Sequence, residues 1–371
     1  MFSRRQLALA LIFVFALAAS FGGSLPRAGA QPGQQQPQPA PRQTPAPQQP
    51  GESVDEDEVL TVDTSLTNVI FSATDRNKRF VSDLTKEDIR VLEDNVPQEI
   101  FTFQKQIDLP LTLALVIDTS GSQEHTLPDE KRAARTFVDS VMRPTKDEVA
   151  VVTFTGEVTL EVGLTGNPAR VRGAIDKVEF VPPSGWIGGG VVVGTPPISG
   201  DNQSLAASTS MWDAIWVTCD EVLSESSERT RRAIILLTDG YDTSSQKKMA
   251  DAVERAIKTE TIVFAVGIGD RFNYAGVDEG TLKKLTERTG GRAYFPRGEE
   301  ELQSAFAQIQ RELREQYLVA YSPTNKRRDG SFRKLQLDLV SPERRKELKL
   351  TYRQGYFAKS GAPGQPKRRK S

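Results

Sequence analysis

Apolar positions along this chain change period several times, and each change marks a different kind of element. Between residues 60 and 103 they alternate with polar neighbours: Leu60, Val62, Thr64 and Leu66, then Ile89 with Val91, then Phe101 with Phe103. Alternation of this kind predicts half-buried strands. The same period returns near the far end in Tyr317, Val319 and Tyr321, then Leu335, Leu337 and Leu339, then Leu348, Leu350 and Tyr352. Neither set is large enough for a stable sheet domain by itself. The two flanks, 59–106 and 316–358, are therefore expected to combine into one small β domain, the alternative being two independent β appendages.

Between the flanks the pattern is different. Continuous apolar runs predict buried, parallel-type strands over Leu111–Ile117, Glu148–Phe154, Ala233–Thr238, Thr261–Gly267 and Gly291–Phe295, with Val158–Leu164 as an antiparallel edge strand. Helical stripes separate them, such as Ala134, Phe137, Val138 and Val141, and Leu302, Ala305, Phe306, Ile309 and Leu313. Strand and helix in alternation predict an α/β fold, a doubly wound and mostly parallel sheet over 107–315. Such domains often bring their termini together, which suits insertion into the flanking β domain.

The ends of the chain carry no such periodicity. Arg4 and Arg5, the apolar run Leu7–Ala19 and the small residues Ala28-Gly29-Ala30 predict a signal peptide over 1–30. The run is too short to cross a bilayer as a helix, which takes about 20 apolar residues, so the mature chain is expected to lack a transmembrane segment. Export to the periplasm or the exterior follows, by a general secretory signal or by a twin-arginine one. Residues 31–58 open on Gln, Pro and Ala and predict an extended spacer, and 359–371 predict a disordered basic tail. With 48 Lys and Arg against 49 Asp and Glu, there is no global field to recruit nucleic acid. The single cysteine, Cys219, rules out an intramolecular disulfide and falls on the apolar face of a helix with Trp212, Ile215, Trp216, Val222 and Leu223.

The candidate chemistry lies where buried strands end. Asp118-Thr119-Ser120-Gly121-Ser122 releases one carboxylate and two hydroxyls into a loop, where their oxygens can face one centre. Oxygen ligands suit a hard divalent cation such as Mg²⁺. A second strand, Arg232–Thr238, ends in Asp239-Gly240, and Thr209 precedes the helix that begins near Met211. These three elements, in this order, resemble the von Willebrand factor type A domain and its metal-ion-dependent adhesion site. Leu84–Asp94 before the domain, and Tyr317–Tyr321 with Gly355-Tyr356-Phe357 after it, look like an exported bacterial family described as von Willebrand factor A related. The likeness covers about residues 59–358.

The resemblance implies one cation, Mg²⁺ first and Mn²⁺ or Ca²⁺ next, held by Asp118, Ser120, Ser122, Thr209 and Asp239. In that family the hydroxyls bind directly and the aspartates largely through water, which leaves the ion electrophilic with one position open. A protein partner's Asp or Glu would complete it. The implied function is non-catalytic, metal-dependent protein binding. A scaffold in which the metal is only structural is the alternative, and a hydrolase or phosphotransferase a weaker one, since Ser120 and Ser122 stand where such an enzyme needs a second acid or base. The long Gly/Pro-rich segment Pro182–Asn202 suggests Trp186 and Ile187 as partner contacts. Asp242 is expected to cap a helix near Ser245–Ile257, and His125 to be a solvated loop residue.

Overall fold

The computed structural model describes residues 66–105, 108–181, 208–227, 230–269 and 276–361, with the backbone alone of 186–187 and 190–191. The predicted signal peptide, the spacer and Lys367–Lys370 of the tail lie outside these residues, as do the side chains of Trp186 and Ile187.

The central sheet grows from five parallel strands, β5 (Leu111–Asp118), β6 (Glu148–Phe154), β10 (Arg231–Thr238), β11 (Thr261–Gly267) and β12 (Ala293–Tyr294). With β7 (Val158–Thr165) antiparallel at one edge, the order is β12-β11-β10-β5-β6-β7. All eight residues of β5 are buried, because both faces of the sheet are covered. Leu113, Leu115 and Ile117 face a layer of α1 (Leu127–Val141), α2 (Pro168–Lys177) and α6 (Glu299–Arg314). Ala114 and Val116 face the other layer, made by α3 (Met211–Val217), α4 (Met249–Lys258) and α5 (Glu279–Thr289). The α/β fold expected from the sequence is the one observed.

The chain leaves β5 on the β6 side and later returns to its other side as β10, so strand order reverses between β5 and β10. In doubly wound sheets this switch point opens a crevice at the carboxyl ends of the strands. Asp118 and Asp239 both stand there.

Two four-stranded sheets lie beside this core. One has the order β15-β1-β13-β4, joining β1 (Thr67–Asp75) and β4 (Ile100–Lys105) to β13 (Tyr317–Tyr321) and β15 (Leu348–Tyr352). The other has β16-β14-β2-β3, joining β2 (Ile89–Glu93) and β3 (Val96–Gln98) to β14 (Phe332–Leu339) and β16 (Gly355–Phe357). Val69, Phe71, Val91, Val319, Leu335 and Leu337 share one core between them. The buried Arg333 guanidinium meets Glu93 at 3.2 Å, and the Tyr321 and Tyr356 hydroxyls donate to the same carboxylate at 2.7 and 2.8 Å. Contacts to the α/β layers include Ser72 Oγ donating to Glu312 at 2.6 Å. At Gly290, φ is +87° and a Cβ would meet Arg353 N at 2.5 Å, so only glycine lets the end of α5 approach the chain where β15 ends.

Two local expectations change. The helix stripe through Cys219 is not continuous: α3 ends at Val217 and a π turn, Thr218–Val222, continues it. The extra residue per turn lets Cys219 and Leu223 both reach the core, at 0 % exposure each. Asp242 does not cap the helix that follows it, which begins only at Met249. Its carboxylate instead accepts from Trp212 N at 3.3 Å and from the Ser245 hydroxyl at 2.5 Å, and so serves the first turn of α3.

Candidate metal centre at the strand ends

Asp118 is the last residue of β5, held at 0 % exposure by the sheet around it. Its two oxygens are used separately: Oδ1 accepts from Ser120 N at 2.9 Å, and Oδ2 accepts from the Thr238 hydroxyl at 2.7 Å. Thr238 Oγ1 also accepts from Gly240 N at 3.1 Å, so one hydroxyl ties the ends of two strands together. Ser120 Oγ and Ser122 Oγ are 3.2 Å apart, and Ser122 hydrogen-bonds Asp239. Asp239 Oδ1 accepts from Tyr241 N at 3.1 Å in the turn that Gly240 makes with φ +89°.

Asp118, Ser120, Ser122 and Asp239 thus form one connected cluster. Thr209 reaches its neighbourhood by backbone bonds. Its N–H donates to the Thr243 hydroxyl at 2.8 Å and its carbonyl accepts from Thr243 N at 2.9 Å, which fastens it to the loop beyond Asp239. Next to it, Ser210 N and Oγ both donate to Thr155 O at 2.7 Å, beyond the end of β6, where Phe154 O also accepts from Thr119 N at 2.9 Å. Among the described residues, the Thr209 hydroxyl makes no hydrogen bond to the other four. Trp186 and Ile187 form a two-residue strand paired with 190–191, and nothing in the described side chains connects them to this cluster.

The electrostatics are those of negative charge held out of water. Burial pushes the Asp118 carboxyl up to about 7, and the neighbouring Asp239 charge adds to it. Burial also raises Asp239, against the hydrogen bond from Ser122. No Lys, Arg or His among the described residues forms an ion pair with either carboxylate. A group of three or more Asp, Glu, His or Cys able to hold a metal is likewise absent among the described residues. Two carboxylates with adjacent hydroxyls therefore make a donor set of oxygen alone, which fits a hard divalent cation.

Three contributors were not visible in the sequence. Thr238 reads as the last residue of a buried strand, and only pairing of β10 with β5 puts its hydroxyl against Asp118. Gln123 is fully buried and donates to Ser122 Oγ and Ile268 O, both at 3.3 Å, while accepting from the Thr126 hydroxyl at 2.8 Å. Glu130 is 1 % exposed on the sheet-facing side of α1, and neither carboxyl oxygen has a hydrogen-bond partner. Burial pushes it up to about 8; Thr126 lies near enough to oppose this although its hydroxyl is aimed at Gln123, and Asp118 and Asp239 add to the rise. A charged residue in the first turn of a helix looks like ordinary dipole compensation, which is why the pattern conceals it. His125 is exposed in the loop before α1.

A parallel sheet between two helical layers, with hydroxyls and carboxylates gathered at its switch point, defines the class of fold. The chain contains a von Willebrand factor type A domain: the family of that description matches over residues 113–241 and again over 198–308. Curated relatives are a UPF0353 protein of Mycobacterium avium, 26% identical over 223 residues (54% of this chain, 59% of the relative), and one of Mycolicibacterium paratuberculosis, 26% identical over 219 residues with the same coverage. The chain thus spans 59% of the length of these relatives. Among solved structures, a von Willebrand factor type A protein from Catenulispora acidiphila is 12% identical, with 81% of this chain and 76% of that one covered and a TM-score of 0.43. Proximal thread matrix protein 1 of the mussel byssus, in a form described with a zinc-occupied MIDAS motif, is 21% identical, with 60% and 50% covered and a TM-score of 0.44.

Proposed function

We infer that this chain is an exported, non-catalytic protein-binding module that works through one divalent cation. Asp118, Ser120, Ser122, Thr209 and Asp239 would hold the ion, Mg²⁺ before Mn²⁺ or Ca²⁺, and an Asp or Glu of a protein partner would complete its coordination. The observation that carries this reading is the oxygen-only cluster of Asp118, Ser120, Ser122 and Asp239, whose buried carboxylates have no cationic side chain among the described residues to balance them. Export rests on the pattern of residues 1–30; among the described residues, no helix is long and apolar enough to cross a membrane. Pairing of β1 with β13 and β15, across the whole inserted domain, supports a β module made of both flanks. Trp186 and Ile187 remain the proposed partner contacts outside the cluster.

Binding is favoured over catalysis because the lone thiol is disarmed and the lone histidine is not part of the strand-end cluster. Burial pushes the Cys219 thiol up to about 12, so the thiolate nucleophile is suppressed, and the lone histidine, His125, stands in an exposed loop. The test is thermal unfolding in chelator and then in Mg²⁺, Mn²⁺, Ca²⁺ or Zn²⁺, for the native chain and Asp118→Ala. A cation at roughly 100 times its Kd contributes about 2.7 kcal/mol, hence a midpoint rise of about 5 °C for a domain of this size. The rise is expected in the native chain and absent in Asp118→Ala; equal responses in both would remove the site. The buried repulsion of Asp118 and Asp239 also supports a purely structural ion in a scaffold. If chelation lowers the midpoint without releasing a captured partner, that second reading replaces the first.

A further inference from the structure

We propose that the cleft between the α/β layer and the flanking sheets is a second docking site, which takes an acidic polypeptide segment in extended conformation along the free edge of β15. The cleft measures about 1050 Å³ and lies at the end of the molecule remote from the strand-end cluster. Ile257 at the end of α4 and Arg288 in the last turn of α5 line it, and both helices lead toward the amino ends of the parallel strands.

Charge is the first reason. In a chain of net charge −1, this cleft is lined by eight Lys and Arg against three carboxylates, Asp75, Glu287 and Glu347. Arg79 already pairs with Asp75 at 2.8 Å. Two of the eight cations are also paired, Lys283 with Glu279 at 2.6 Å and Arg292 with Glu312 at 3.3 Å. Arg76, Lys78, Arg288, Lys334, Lys346 and Lys349 have no carboxylate partner among the described residues. Basic residues in a last helical turn offset the helix dipole, but that accounts for Arg288 and not for the lysines on β14 and β15.

Backbone is the second reason. All five residues of β15, Leu348 through Tyr352, line the cleft, so the strand presents its edge there as well as its side chains. β15 is the outermost strand of its sheet, with β1 on its other side. An outermost strand offers unpaired N–H and C=O groups to an added strand. The walls add apolar surface from half-buried Leu350 and Tyr352 and from exposed Phe332. A polyphosphate would use the cations and leave the strand edge and the apolar walls unused. An extended peptide alternating acidic and apolar side chains uses all three.

Fluorescence anisotropy of a short fluorescein-labelled peptide of alternating Glu and Val tests this on the full chain. Binding is expected in Mg²⁺ and equally in chelator, weakening as salt rises. Reversing two of the cations, Arg288→Glu with Lys349→Glu, is expected to loosen it about tenfold. If that variant unfolds, Lys346→Ala with Lys349→Ala carries the same comparison with a smaller loss. The same peptide N-methylated at every residue keeps its charge but has no N–H to donate from either edge, and is expected to bind more weakly. No binding, equal binding by the methylated peptide, unchanged affinity in a folded variant, or binding of inorganic polyphosphate alone would each overturn the proposal. Loss of binding in chelator or in Asp118→Ala would assign the peptide to the strand-end cluster instead.

Discussion

Glu130 shows how much a single buried side chain can cost this molecule. Its carboxyl is held up at about 8 against an ordinary 4.5, so between these pH values the folded chain keeps a proton that the unfolded chain has released. Stability therefore falls as pH rises through this window and levels off above it. Glu130→Gln keeps the shape and removes the charge. In chelator, the variant is expected to exceed the native chain in urea midpoint at pH values above about 8, with the difference vanishing toward pH 5. Asp118 and Asp239, also raised by burial, leave a residual slope of the same sign in the variant. A slope identical to that of the native chain would show that Glu130 is ionised and satisfied in the fold.

At the scale of elements, the loop after β10 depends on one backbone conformation. Gly240 has φ +89°, and a Cβ there would approach Leu282 Cγ at 3.0 Å and Asp278 O at 3.1 Å. The left-handed conformation costs an ordinary residue about 1–2 kcal/mol before any crowding is counted. Gly240→Ala is therefore expected to lose at least that much in urea unfolding. It is also expected to blunt the cation response more than its stability loss alone explains, because Asp239 and the Thr238 bond to Gly240 N share the turn. A stable variant with full cation response would show that the loop relaxes without moving Asp239.

Across the whole molecule, the flanks are held by a buried ion pair as well as by apolar packing. Glu93 on β2 receives Arg333 from β14 and two tyrosine hydroxyls, from positions 228 to 263 residues away in the chain. Removing one partner leaves the other charge uncompensated in the core, a loss of about 3–5 kcal/mol in comparable buried pairs. Glu93→Ala is expected to fall in this range by denaturant unfolding. Replacing Glu93 and Arg333 together by apolar residues of similar volume is expected to recover much of it. Additive losses in the double variant would mean that each residue acts alone.

The pattern of apolar residues by itself determined that this chain makes strands and helices in alternation, hence an α/β sheet covered on both faces. It also marked Asp118, Ser120, Ser122 and Asp239 as polar groups released where buried runs stop, because burial of a strand is written in consecutive residues. What the tertiary structure alone decided are the meetings between distant positions. Thr238 stands against Asp118 because two parallel strands share one register. Asp242 serves the helix that begins 31 residues before it, since the loop after β10 folds back over α3. Glu130 lies buried because α1 turns that face to the sheet, and the cleft beside β15 becomes basic only when α5, β14 and β15 converge. Local periodicity records which face of an element leaves water; which other face it meets depends on long-range pairing, and no local pattern carries that.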